Sequence, residues 1–75
     1  MRTEHDIRNM YRQYVYLHAF ADIDGKVKAA DQYYGAAFAC GRTIGKDGTS
    51  IRKDLNRAKS FIKRRKAEGK PLPIV

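Results

Sequence analysis

The sequence predicts an all-α fold. It is a small three-helix domain spanning residues 1–75, with a basic C-terminal helix and a short extended tail. Three observations predict it. Apolar residues recur at helical spacing in three separate stretches. Glycine-bearing breaks at Asp22-Ile23-Asp24-Gly25 and Arg42–Gly48 divide those stretches. At 75 residues there is no room for a second core, and no repeat or low-complexity segment subdivides the chain.

The first helix is expected over about 3–21. Thr3 with Asp6 three residues on resembles a capping box, although Asp replaces the usual Glu or Gln. Ile7, Met10, Tyr11, Tyr14, Leu17, His18 and Ala21 follow the i, i+3, i+4, i+7 rule, and Tyr16 and Phe20 widen one flank. Tyrosines at this spacing read as packing residues with a wet hydroxyl, Tyr16 being the one best suited to stacking on a base. His18 reads as a satisfied core or boundary histidine.

Asp22, Asp24 and Asp31 fall on ligand positions of an EF-hand loop when Gly25 takes its invariant glycine. However, Phe20 takes the first ligand position, Lys28 another, and Asp31 replaces the bidentate Glu. The segment is therefore read as a helix end followed by a new cap, with Asp24 capping the next helix. The second helix, about 26–41, is rich in small residues: Ala30, Gly35, Ala36, Ala37, Ala39, Cys40 and Gly41. These let another helix approach closely, and such packing is expected to offset the cost of Gly35 in mid-helix. Cys40 is expected to be a buried structural thiol. Arg42–Gly48 reads as an interhelical loop, since Gly41-x-x-x-Gly45-Lys46 lacks the spacing and the Ser/Thr of a phosphate loop.

The third helix, about 50–68, carries Ile51, Leu55, Ala58 and Ile62 at spacings of four, three and four. Thr49 or Ser50 is expected to cap it, Asp54 sits near the positive end of its dipole, Gly69 stops it and Pro71 forbids continuation. Residues 70–75 form the extended tail. The predicted core comprises Ile7, Met10, Tyr11, Tyr14, Leu17, Val27, Ala30, Tyr34, Ala37, Phe38, Ile51, Leu55, Ala58 and Ile62.

Charge separates scaffold from working surface. Residues 1–48 carry seven Lys/Arg against six Asp/Glu, a net of +1, whereas residues 49–75 carry nine against two, a net of +7. A near-neutral scaffold presenting a basic third helix is built to meet an anion. One cysteine permits no internal disulfide, and two distant histidines give no zinc spacing. No 18-residue apolar run exists, and the polar N-terminus is unlike a secretory signal, so a cytoplasmic location is expected. No nucleophile–base pair, paired carboxylates or metal cluster emerges, so neither catalysis nor a metal or cofactor is expected.

Non-catalytic nucleic-acid binding is the expected function, DNA in preference to RNA. Two helices followed by a basic third match the layout of helix-turn-helix proteins. Arg52, Lys53 and Asn56 are candidates for base edges, and Arg57, Lys59, Lys63, Arg64 and Lys66 for phosphates, with Arg42 and Lys46 adding contacts from the loop. The segment Ser50-Ile51-Arg52-Lys53-Asp54-Leu55-Asn56 resembles the start of recognition helices in DeoR-type winged-helix repressors. That resemblance implies that the third helix enters a major groove. The alternative is a small adaptor or inhibitor docking on an acidic surface of a larger nucleic-acid-handling complex, with Tyr16, Phe20, Phe61 and Arg64 as anchors. Homodimerisation is a further route by which so short a chain adds buried surface.

Overall fold

The computed structural model describes residues 3–72. Three helices account for most of them: α1 (Glu4–Ile23), α2 (Val27–Thr43) and α3 (Gly48–Glu68). Thr3 and Asp6 complete the expected capping box: the Thr3 hydroxyl accepts from the Asp6 amide at 3.2 Å, and the Asp6 carboxylate from the Thr3 amide at 3.4 Å. The two other starts differ from expectation. Asp47 caps α3, not Thr49 or Ser50; its carboxylate accepts from the Ser50 amide at 2.8 Å, which holds the carboxyl below its ordinary range. Asp24 does not cap α2 but closes α1, leaving Lys26 at the start of α2 without a side-chain cap.

All three helices end the same way. Lys26, Lys46 and Lys70 donate their amides back to the carbonyls of Ala21, Gly41 and Arg65, and Gly25, Gly45 and Gly69 to those of Asp22, Arg42 and Lys66. This is the Schellman arrangement, and its turning residue has a left-handed backbone, here φ of 77°, 88° and 68°. Because Gly45 rather than Gly41 makes the second turn, α2 takes in Arg42 and Thr43, and the loop to α3 shrinks to residues 44–47.

α1 and α2 are antiparallel: Tyr14 lies beside Tyr33, with centroids 6.3 Å apart, and His18 reaches back to Ala30. α3 returns alongside α1, because Tyr11 meets Asp54 while Asp22 and Asp24 meet Lys59 and Lys66. The result is an up-down-up bundle in which α3 rests mainly on α1. Its core joins Tyr11, Val15 and Ala19 of α1, Ala37 of α2, and Ile51, Leu55, Ala58 and Ile62 of α3. The apolar stripe of α3 is thus buried as predicted.

The α1 face is rotated from the predicted one. Ile7, Met10, Tyr14 and Leu17 are only half-buried, whereas Val15 and Ala19 are buried. α1 is the central helix, so its buried line must run between two partners. Tyr14 leans on α2 while Val15 turns toward α3. Two predicted core residues of α2 lie outside: Val27 is 70 % exposed and Tyr34 39 %. α3 covers the α1 side of the hairpin, so the outer flank of α2 has no third helix over it. The Tyr34 ring runs along His18 (5.5 Å) and Phe38 (4.8 Å) at that boundary. His18 is buried, and its Nδ1–H donates to the Ala30 carbonyl at 2.9 Å, a satisfied histidine holding α1 to α2. Cys40 is half-buried against the core rather than enclosed.

Gly35 departs from expectation as well. It is exposed, and a Cβ placed there meets nothing within 4 Å, so no close packing explains it. Gly35→Ala is therefore expected to raise stability by about 0.5–1 kcal/mol by removing backbone entropy from the unfolded chain. A urea midpoint equal to or below that of the parent protein would contradict this. After Gly69 the chain folds back. Arg65 Nη1 donates to the Pro71 carbonyl at 3.1 Å and Leu72 packs on the core edge; the expected tail residues 73–75 lie outside the described residues. Among the described residues no hairpin wing follows α3.

Candidate functional site

The basic residues of α3 and its loop divide by what surrounds them. On one flank Lys59 pairs with Asp22 at 3.5 Å and Lys66 with Asp24 at 3.3 Å. Two of the three aspartates that fall on EF-hand ligand positions in sequence, Asp22 and Asp24, therefore tie the end of α1 to α3. On the other flank Lys46 Nζ lies 3.3 Å from Asp54 and 5.6 Å from the centre of the Tyr11 ring, and the Tyr11 hydroxyl donates to Asp54 at 2.5 Å. Burial, followed by the Asp54 carboxylate, pushes the Tyr11 phenol far above its ordinary range. This cluster links α1, the loop and α3.

The remaining face of α3 is open. Arg52, Arg57, Lys63 and Arg64 are exposed and form no ion pair with a carboxylate among the described residues; Lys53, equally exposed, has only the Asp47 carboxylate within electrostatic reach, and Asn56 lies exposed among them. The twelve-residue step from Arg52 to Arg64 spans about 18 Å of helix. Arg42 stands beyond the helix start with its guanidinium 6.0 Å from the Phe38 ring centre, and with Lys46, Asp47 and the flanking glycines it lines a shallow depression. Of the ten residues singled out from the sequence, six share this open face, three are tied into ion pairs, and Arg42 stands apart at one end.

Sequence reasoning missed the groove between α1 and α3, of about 370 Å³. Val15 and Ala58 contribute its small buried apolar side chains; Arg12 and Tyr16 line it from α1, Arg57 and Phe61 from α3, and the Tyr11–Asp54 pair is part of its lining. Arg12 stacks 5.8 Å from the Tyr16 centroid and Arg65 4.9 Å from that of Phe61. A signal was available: Arg12–Tyr16 and Phe61–Arg65 are both aromatic–guanidinium pairs at i, i+4, the spacing that brings helical side chains together.

Among the described residues no three His, Cys, Asp or Glu side chains gather as metal ligands, and no helix is long and apolar enough to cross a membrane. Compared with known protein families, curated proteins and solved structures, the chain shows no match.

Proposed function

We propose that this protein is a non-catalytic nucleic-acid-binding domain whose α3 presents the binding face. The observation that carries this reading is the open row Arg52, Lys53, Arg57, Lys63 and Arg64, which forms no ion pair among the described residues on a helix whose other lysines are tied to aspartates. A row of uncompensated guanidinium and ammonium groups suits a phosphate backbone, and releasing condensed counterions drives its binding. Arg57, Lys63 and Arg64 take phosphates in this proposal, while Arg52, Lys53 and Asn56, nearest the helix start, are placed for base edges. Lys59 and Lys66 hold α3 to the α1–α2 turn, through exposed pairs that contribute little to stability. Arg42 extends the cationic row beyond the start of α3.

Fluorescence anisotropy of labelled oligonucleotides across a salt series tests the reading, with an Arg57→Ala/Arg64→Ala variant alongside. Log affinity is expected to fall linearly with log salt, and the variant to lose about two from the magnitude of that slope. Absence of binding at low salt, or a variant indistinguishable from the parent, overturns the proposal. An acidic protein partner, sought by nuclease-treated pull-down, would then take its place.

A further inference from the structure

We infer that the α1–α3 groove is a slot for an unpaired base, with Phe61 as its stacking platform, so that the protein prefers single-stranded over duplex nucleic acid. This rests on the nucleic-acid reading above and adds the strand form and the residues that select it. Phe61 is 38 % exposed, a large aromatic ring left in water by a domain with little apolar surface to spare. It is the meeting point of three depressions. One is the α1–α3 groove, one adjoins Asn56, Arg57, Ser60 and Arg64, and one adjoins Arg65 and the returning tail.

Flat apolar surface and positive charge alternate around that ring. The Arg65 guanidinium covers part of Phe61, and on the opposite helix Arg12 covers part of Tyr16. Among the described residues Arg12, Arg57 and Arg64 have no carboxylate partner, and Asp54, the one carboxylate among them that lines the groove, is already engaged by Tyr11 and Lys46. A ligand with a flat apolar body on an anionic chain answers both features, and a nucleotide within a strand has that chemistry. In a duplex the base faces are stacked on one another and cannot reach Phe61, whereas a single strand presents a base to the groove and phosphates to Arg57 and Arg64.

The test uses the full chain with labelled single-stranded DNA, single-stranded RNA of the same sequence and the matching duplex, each read by anisotropy. Phe61→Leu and Tyr16→Leu keep apolar bulk and remove the ring, and circular dichroism checks that both stay helical. Single strands are expected to bind more tightly than duplex. Either substitution should weaken single-strand binding by about tenfold, with an unchanged salt slope because no charge is removed. Whichever of the two single strands binds more tightly names the natural class of ligand. If both variants bind single strands like the parent while Arg57→Ala/Arg64→Ala weakens binding, the slot is overturned and the α3 face stands. If the parent binds no nucleic acid at all, both proposals fall. Binding of a poly-glutamate peptide as tightly as the single strand overturns the slot in favour of an acidic protein partner.

Discussion

Ile62→Ala is expected to lower stability by about 2–5 kcal/mol, the range for truncating a fully buried aliphatic side chain and leaving a cavity. Ile62 has no exposed surface and is one of the two largest fully buried side chains. At roughly 0.05–0.15 kcal/mol per residue, a domain of this size has only about 4–11 kcal/mol in total, so the substitution removes a large share of it. Apart from the Tyr11–Asp54 hydrogen bond near its start, α3 has little polar attachment to α1. Ile51, Leu55 and Ala58 complete its apolar stripe, and its ion pairs to Asp22 and Asp24 are exposed and weak. Loosening this stripe would also detach the cationic face from the helix against which it is positioned. Urea unfolding should show a lower midpoint at similar slope. Phe61→Leu, one residue earlier on the exposed side, should stay close to the parent. An Ile62→Ala midpoint equal to that of Phe61→Leu would show that the stripe does not secure α3.

Much of this architecture was legible because it is local. Ile51, Leu55, Ala58 and Ile62 form one narrow apolar line among charges, so a single face of α3 had to turn inward. The Thr3–Asp6 box and the Gly69 stop lie within a few residues of the backbone groups they satisfy. α1 was harder to read because apolar side chains occupy more than half of its circumference. Only the positions of α2 and α3 select Val15 and Ala19 over Ile7 and Leu17. Asp24 reads in sequence as the cap of α2, and the left-handed turn at Gly25 assigns it instead to the helix before it. The candidate site divides along the same line. Position on α3 alone placed Arg52, Lys53, Asn56, Arg57, Lys63 and Arg64 on an open face. Withdrawal of Lys59 and Lys66 into pairs depends on aspartates 37 and 42 residues away in the chain, counted from the numbers of each pair. The groove depends on α1 and α3 running side by side, which no periodicity within either helix reveals.

Gly41→Ala is expected to lose about 1–3 kcal/mol, the cost of forcing an extra methyl into a filled interior. It is the opposite of the result expected at Gly35 on the same helix. Gly41 is buried where all three helices meet, and a Cβ there would lie 2.7 Å from Ile51 Cδ1, 2.8 Å from Ile51 Cγ1 and 3.0 Å from Tyr11 Cε1. Neither neighbour yields easily, since Ile51 is fully enclosed and Tyr11 is held by its hydrogen bond to Asp54. The clash therefore strains both the seat of α3 and the Tyr11–Asp54 pair that lines the groove. Ile51→Val removes the nearest offending atom, the Cδ1 methyl, at a cost of about 0.5–1.5 kcal/mol alone. Combined with Gly41→Ala it should recover part of the loss, so that the double variant is more stable than the two single effects added together. Additive effects in urea unfolding would mean that the alanine is accommodated by moving α2 as a whole. A coupling in the rescuing direction would locate the strain between Gly41 and Ile51, where α2 sets the distance at which α3 begins.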